Sequence, residues 1–192
     1  MGTGLGVRFD SLAPEAADAT FALLAAVRPG HDDLGVTIPG RWLRSASDAD
    51  RAVALNVAVR VVKGQWRDPA APSIDPGTGF LEVVDRIAGR AARVGVATHD
   101  APLARTALGR LRAAGTPCEL ELLLGLPFGP ALREALDSGV TVRVYVPYGR
   151  ASLPYSVSRS ASKPRALYRV IRDLFLARPV LPPPLNGARP AR

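Results

Sequence analysis

Short apolar runs alternate along the chain with longer stretches of helical periodicity, and this alternation sets the expected fold. Strands are expected at Val7 to Asp10, Gly35 to Pro39, Ala58 to Gly64, Arg93 to His99, Cys118 to Gly125 and Thr141 to Gly149. Each is a few residues rich in Val or Leu and bounded by turn formers. Helices are expected at Ala16 to Val27, Asp48 to Ala54, Gly79 to Arg90, Leu103 to Ala114 and Gly129 to Ser138. The strands begin roughly 23 to 35 residues apart, the spacing of successive βαβ units, which predicts a parallel sheet with helices laid against it.

Parity within the segments says which face meets which. Leu103, Ala107 and Leu111 recur every fourth residue and share one side of a helix, leaving Arg105 and Arg112 to solvent. In the fifth strand Leu120, Leu122 and Leu124 oppose Glu119, Glu121 and Leu123; in the sixth, Val142, Val144 and Val146 oppose Arg143, Tyr145 and Pro147. If the aliphatic faces meet the helices, Glu121, Leu123, Arg143 and Tyr145 point into a partly polar inner volume. A ligand mouth is then expected at the carboxyl ends of the strands. Beyond the last strand, Pro164 opens a helix with an apolar stripe of Leu167, Val170, Ile171 and Leu174. The stretch from Asp68 to Gly79, with three prolines, predicts an irregular loop over the mouth. The domain is expected to cover residues 1–177, followed by a disordered proline-rich tail over 178–192.

Composition narrows the chemistry. The single cysteine, Cys118, excludes an internal disulfide framework and points to a reducing, cytoplasmic compartment. The two histidines, His31 and His99, form no metal-ligand pattern. No apolar run reaches the roughly 20 residues that cross a bilayer. The net charge of +8 comes from 25 basic against 17 acidic residues. These arginines are dispersed and not interleaved with aromatics, so surface charge explains them and no specific nucleic acid is expected.

Three strand ends carry more specific information. Arg60-Val-Val-Lys-Gly-Gln-Trp66, Ala97-Thr-His-Asp100 and Val142-Arg-Val-Tyr-Val-Pro-Tyr-Gly149, followed by Leu153-Pro-Tyr155, occur in this order with Glu119-Leu-Glu-Leu-Leu-Leu-Gly125 between the last two. Together they resemble the proline dehydrogenase family, over about Val7 to Phe175. The resemblance implies a TIM-barrel-like fold, here an incomplete (β/α)8 barrel with six recognisable strands. It also implies FAD as cofactor and oxidation of L-proline, or a related cyclic amino acid, to 1-pyrroline-5-carboxylate. Electrons would pass on to an acceptor such as quinone, which would bring the protein to the surface of the inner membrane.

The matched positions imply roles. Arg60 corresponds to an arginine at the flavin's reactive edge, and Lys63 and Gly64 to its neighbours at the cofactor. Thr98 and His99 correspond to contacts with the flavin phosphate and adenosine. Asp10, Leu123, Tyr145 and Tyr155 correspond to residues around the substrate, and Arg159 to one of two arginines that clamp its carboxylate. Strand alternation places Arg60 and Lys63 on opposite faces, so both serve only if Lys63 lies past the regular strand.

The departures from the family pattern are as informative. Ser158 stands where the first clamp arginine is expected, and a hydroxyl brings neither full charge nor a fork of donors. Ser162 replaces an acidic residue. Pro39-Gly-Arg-Trp42 replaces a Gln-Ala-Tyr-Leu segment, with Trp42 able to stack on the cofactor or to join the core. The first strand resembles the third of the family barrel, so six strands stand where closure needs eight. Two readings follow: an FAD-dependent enzyme, or a truncated non-catalytic or partner-dependent remnant. A second copy or an upstream polypeptide could complete the sheet.

Overall fold

The computed structural model describes residues 6–124 and 126–146. Tyr155 and Arg159, the helix expected from Pro164, the proline-rich tail and the final residues of the fifth and sixth strands as expected above lie outside the described residues. Six strands, β1 (Val7–Phe9), β2 (Leu34–Pro39), β3 (Ala58–Val62), β4 (Val94–Ala97), β5 (Cys118–Leu123) and β6 (Thr141–Tyr145), form one sheet in sequential order. Every neighbouring pair is parallel. The connections carry α1 (Ala17–Val27), α2 (Ser45–Ala54), α3 (Pro76–Ile87), α4 (Ala101–Ala113) and α5 (Gly129–Asp137).

The core lies between the outer face of the sheet and the helices. Val36, Ile38, Val59, Val61, Val94, Val96, Leu120 and Leu122 alternate outward from the strands and bury against Phe21, Leu24, Phe80, Val84, Leu108 and Leu111. The inner face is left to small and charged residues. This is the parity expected for β5, and it is what makes a bowl instead of a second apolar layer.

The sheet is curled into an incomplete TIM-barrel-like half-barrel. Arg8 on β1 forms an ion pair with Glu121 on β5, although four strand spacings separate the two. At about 4.8 Å each, a flat sheet would hold those strands about 19 Å apart, beyond the joint reach of the two side chains. Curling brings them together. Gly35 and Gly95 make room for the meeting. A Cβ on Gly35 would come within 3.3 Å of Arg8 Nε, and one on Gly95 would overlap the Glu121 carboxylate. Long side chains thus come from β1, β3 and β5, while β2 and β4 contribute glycine at the same level, the interleaving of alternate strands that fills a barrel interior.

Helix boundaries depart from expectation where proline was read as a breaker. The segment after Asp68 is shorter than expected because α3 begins at Pro76. Proline fits the first turn, where no backbone donor is needed, and the Asp75 side chain accepts from the N–H groups of Gly77 and Thr78. These bonds, that of Thr78 foremost, hold the Asp75 carboxyl below the usual carboxylate range. Replacing Asp75 with Ala is expected to lower Tm by about 3 °C at neutral pH. Because the folded carboxyl titrates lower than the unfolded one, the deficit should shrink as pH falls through the ordinary carboxylate range, and parallel thermal melts at neutral and acid pH check both parts.

Ion pairs lace neighbouring helices on the outer surface. Asp18 of α1 meets Arg44 and Arg51, Asp50 of α2 meets Arg86 and Arg90, Asp85 of α3 meets Arg110, and Arg105 of α4 meets Glu134 of α5. The hydrogen bonds from Arg44 and Arg51 bring Asp18 to a pKa of about 2, and those from Arg86 and Arg90 do the same for Asp50. Six arginines are thereby committed to contacts between helical segments.

Candidate active site

A cavity of about 400 Å³ occupies the bowl, within the range of small-molecule clefts. Its lining runs from Asp33 and Arg93 near the amino-terminal rim, through Arg8, Arg60, Glu121 and Arg143, to Asp10 and Tyr145 at the carboxyl-terminal rim. Glu121 lies at its centre, 5% exposed, between two cations. Arg8 pairs with Oε1, and Arg60 Nε stands 2.8 Å from Oε2. The second contact has ion-pair distance without hydrogen-bond alignment, since Arg60 Nε has no hydrogen-bond partner. On the adjoining strand Arg143 makes a two-pronged contact with buried Glu119, at 2.8 and 3.0 Å.

Arg60 also lies over the ring of Tyr145, its guanidinium carbon 5.6 Å from the ring centroid, within cation–π range. Tyr145 is the last residue of β6, 48% exposed, and the register partner of Leu123 at the end of β5. Asp10 follows β1 directly and is exposed on the same cavity. Four residues expected around substrate or cofactor therefore converge: Asp10, Arg60 and Tyr145 line one cavity, and Leu123 adjoins it through Tyr145.

The remaining residues gather just beyond β3 and β4. β3 ends at Val62, two residues before the expected boundary, so Lys63 does lie past the regular strand, and its ammonium pairs with Asp100 at 2.8 Å. Gly64 has φ of +86°, and a Cβ there would come within 2.8 Å of Pro39 Cβ and 2.9 Å of Arg41 Cγ. Glycine is required on both counts. Thr98 is buried, and its hydroxyl accepts from the Asp100 N–H at 3.2 Å. His99 has both ring nitrogens engaged, Nδ1 with the Pro127 carbonyl and Nε2 with the Leu123 N–H, each at 3.0 Å. Trp42 belongs to the core rather than to a stacking surface: it is 4% exposed and its indole N–H donates to the Trp66 carbonyl.

Sequence reasoning did not single out Arg8. Its signal was present in the alternation Arg8-Phe9-Asp10, which sends both charges to the face opposite Phe9, but its partner is remote in sequence. Leu12, Leu43, Trp66, Leu124, Leu126 and Val146 stand exposed on the segments that follow β1, β2, β3, β5 and β6, giving the mouth an apolar rim around a charged interior. Among the described residues no group of three or more His, Cys, Asp or Glu side chains could hold a metal ion, and no helix is long and apolar enough to cross a membrane.

Comparison with known proteins finds likeness in sequence and in fold. Proline dehydrogenase 1 of Bacillus subtilis subsp. natto is 25% identical over 165 residues, covering 82% of this chain and 54% of the relative. Its counterpart in Bacillus subtilis strain 168 is 24% identical over the same length. The chain is similar to these proline dehydrogenases over most of its own length. It spans about half the length of these curated relatives. No family model matches it. The fold is shared with proline utilization A of Bdellovibrio bacteriovorus, at TM-score 0.65 and 17% identity over 76% of this chain and 18% of that one. A variant of proline utilization A from Bradyrhizobium japonicum gives TM-score 0.65 at 19% identity over 97% of this chain and 24% of the other. The sequence likeness and the shared fold thus each span most of this chain.

Proposed function

We propose that the chain is the cofactor- and substrate-facing portion of an FAD-dependent proline dehydrogenase, oxidising L-proline or a related cyclic amino acid to 1-pyrroline-5-carboxylate. The observation that carries this reading is the convergence of Arg60, Tyr145 and Asp10 on one cavity at the carboxyl ends of parallel strands. Arg60 Nε lacks a hydrogen-bond partner, and Lys63 and Gly64 follow immediately at the rim, so the donor set fits an electron-rich ring edge and a phosphate-bearing tail. When bound, FAD would supply a two-electron, hydride-accepting redox group for oxidation of the bond between the ring nitrogen and its neighbouring carbon.

The chain's own residues supply orientation and charge. Arg60 holds its guanidinium where negative charge accumulates, kept in place by Glu121 and Tyr145. Tyr145 and Leu123 give the small ring an apolar wall, and Asp10 faces its cationic nitrogen. Arg159 would meet the carboxylate, with Ser158 providing a hydroxyl where the family pattern has a second guanidinium. Loss of one charged contact costs about 2 to 5 kcal/mol in a desolvated pocket, so weak affinity for proline is expected. Lys63, Thr98 and His99 are the proposed neighbours of the phosphate and adenosine. Quinone is the proposed final acceptor, reached at the inner face of a membrane.

A second reading, dependence on a partner, is favoured by the two edges of the sheet. Among the described residues β1 and β6 each have one neighbour, and Val7, Tyr145 and Val146 are exposed there. Two further parallel strands, from a preceding polypeptide or another copy, would close the bowl. Equilibrium binding of FAD to the purified chain tests both readings. The enzyme reading expects stoichiometric FAD, with affinity lowered about tenfold or more when Arg60 is replaced by Met. FAD retained only after a polypeptide carrying two additional barrel strands is added selects the partner-dependent form. A folded chain that takes up no FAD under either condition removes the flavin reading.

A further inference from the structure

The family pattern places His99 beside the cofactor, and its hydrogen bonds point to a further task. The Leu123 amide can only donate and the Pro127 carbonyl can only accept. At 3.0 Å from each, the ring must carry its proton on Nδ1 and present Nε2 bare. The reason for this arrangement is the unequal length of two strands. The β4–β5 ladder stops at the Ala97–Glu121 pair, whereas β5 continues to Leu123. The Leu123 N–H has therefore outrun the strand beside it, and an unpaired backbone donor in a half-buried site is costly. His99, two residues past the end of β4, supplies the acceptor that β4 no longer can. Its other nitrogen ties down Pro127, two residues before α5 begins at Gly129.

We propose that His99 is a positioning residue, a neutral imidazole with its proton on Nδ1, that fixes the carboxyl end of β5 and thereby sets Leu123 and its register partner Tyr145 at the mouth. The hydrogen bonds stand on their own, and the link to substrate rests on the function proposed above. An imidazolium has no acceptor, so protonation breaks the Leu123 contact. Burial of the ring opposes that charge and pushes its pKa down, with the Pro127 carbonyl as the opposing influence. The charged groups on the surrounding elements are already committed: Lys63 with Asp100, Glu121 with Arg8 and Arg60, Arg143 with Glu119, and Glu134 with Arg105. Arg133 and Asp137 are the other charged residues of α5. Because the folded ring titrates below the unfolded one, its contribution to stability is complete above the ordinary imidazole range and is lost as pH falls through the depressed value.

Long-range nitrogen–proton NMR correlations on the whole chain test the assignment without flavin or substrate. The expected spectrum shows His99 protonated at Nδ1, bare at Nε2 and titrating below the ordinary imidazole value, with Leu123 methyl shifts following the His99 midpoint. Amide exchange at Leu123 should accelerate about tenfold in His99→Asn, which cannot reach with an acceptor, and be protected again in His99→Gln, whose side-chain oxygen can. A proton on Nε2, a midpoint at or above the ordinary imidazole value, or Leu123 methyls indifferent to the titration overturns the proposal. Because none of these readouts needs FAD, the proposal can fail while the flavin reading stands, and the reverse.

Discussion

Gly79→Ala is expected to destabilise the chain by about 4 kcal/mol or more, enough to prevent accumulation of a folded protein. Gly79 sits in the first turn of α3 directly against the backbone of Gly40, just past β2. A Cβ at Gly79 would fall inside the van der Waals envelope of the Gly40 carbonyl oxygen, and one at Gly40 would overlap the backbone of Phe80. Neither clash ends on a flexible side chain that could swing away. Relief requires α3 to move off the sheet, which withdraws Phe80, Val83, Val84 and Ile87 from the core. Gly109→Ala in α4 is the control, since nothing lies within 4 Å of its added Cβ. Removing a helix-interior glycine there should stabilise by about 0.4–1 kcal/mol. Denaturant unfolding of both variants reads the contrast, and a Gly79→Ala chain within about 1 kcal/mol of the parent would mean that α3 does not pack as described.

The second large effect is expected at the centre of the bowl. Glu121→Gln keeps the shape of the side chain but leaves Arg8 and Arg60 facing each other with no anion between them. Removing one partner of a buried ion pair typically costs 3–5 kcal/mol. Both arginines are about one-fifth exposed, so the lower end applies, about 3 kcal/mol, or about 6–12 °C in Tm. The cost belongs to the stranded charges more than to the bond. Glu121→Leu combined with Arg8→Met and Arg60→Met should therefore recover most of the stability while removing the guanidinium proposed to meet the flavin. Thermal melts of the single and triple variants separate the two contributions. A single variant as stable as the parent would show that the ion cluster does not hold the curl.

Much of the architecture was legible because it is local. Runs such as Val59-Arg60-Val61 and Leu120-Glu121-Leu122 alternate with period two, and their outward residues are the ones found in the core. The Arg60-Val-Val-Lys-Gly segment marked both a strand and its end. That end was placed too late, since Gly64 adopts a backbone conformation outside the ladder and β3 stops at Val62. Pro76 falls in the stretch expected as an irregular loop, whereas it lies in the first turn of α3 behind the Asp75 cap; Pro102 lies likewise in the first turn of α4, behind Asp100. The contact between Arg8 and Glu121 was illegible for a different reason: it exists only once the sheet has curled, and curvature is a property of six strands together. His99 shows the same limit. Its motif pointed to a ligand, but its protonation state is set by Leu123 and Pro127, which come from a different strand and loop.

Anaerobic addition of L-proline to the FAD-loaded chain, followed through the visible absorbance of the flavin, tests the central claim that this bowl holds a reducible ring beside a small cyclic amino acid. Bleaching that saturates with proline, and that is lost in Arg60→Met at matched FAD occupancy, is the result expected. A fully loaded, folded chain that stays oxidised at saturating proline, with two further barrel strands supplied, would contradict it.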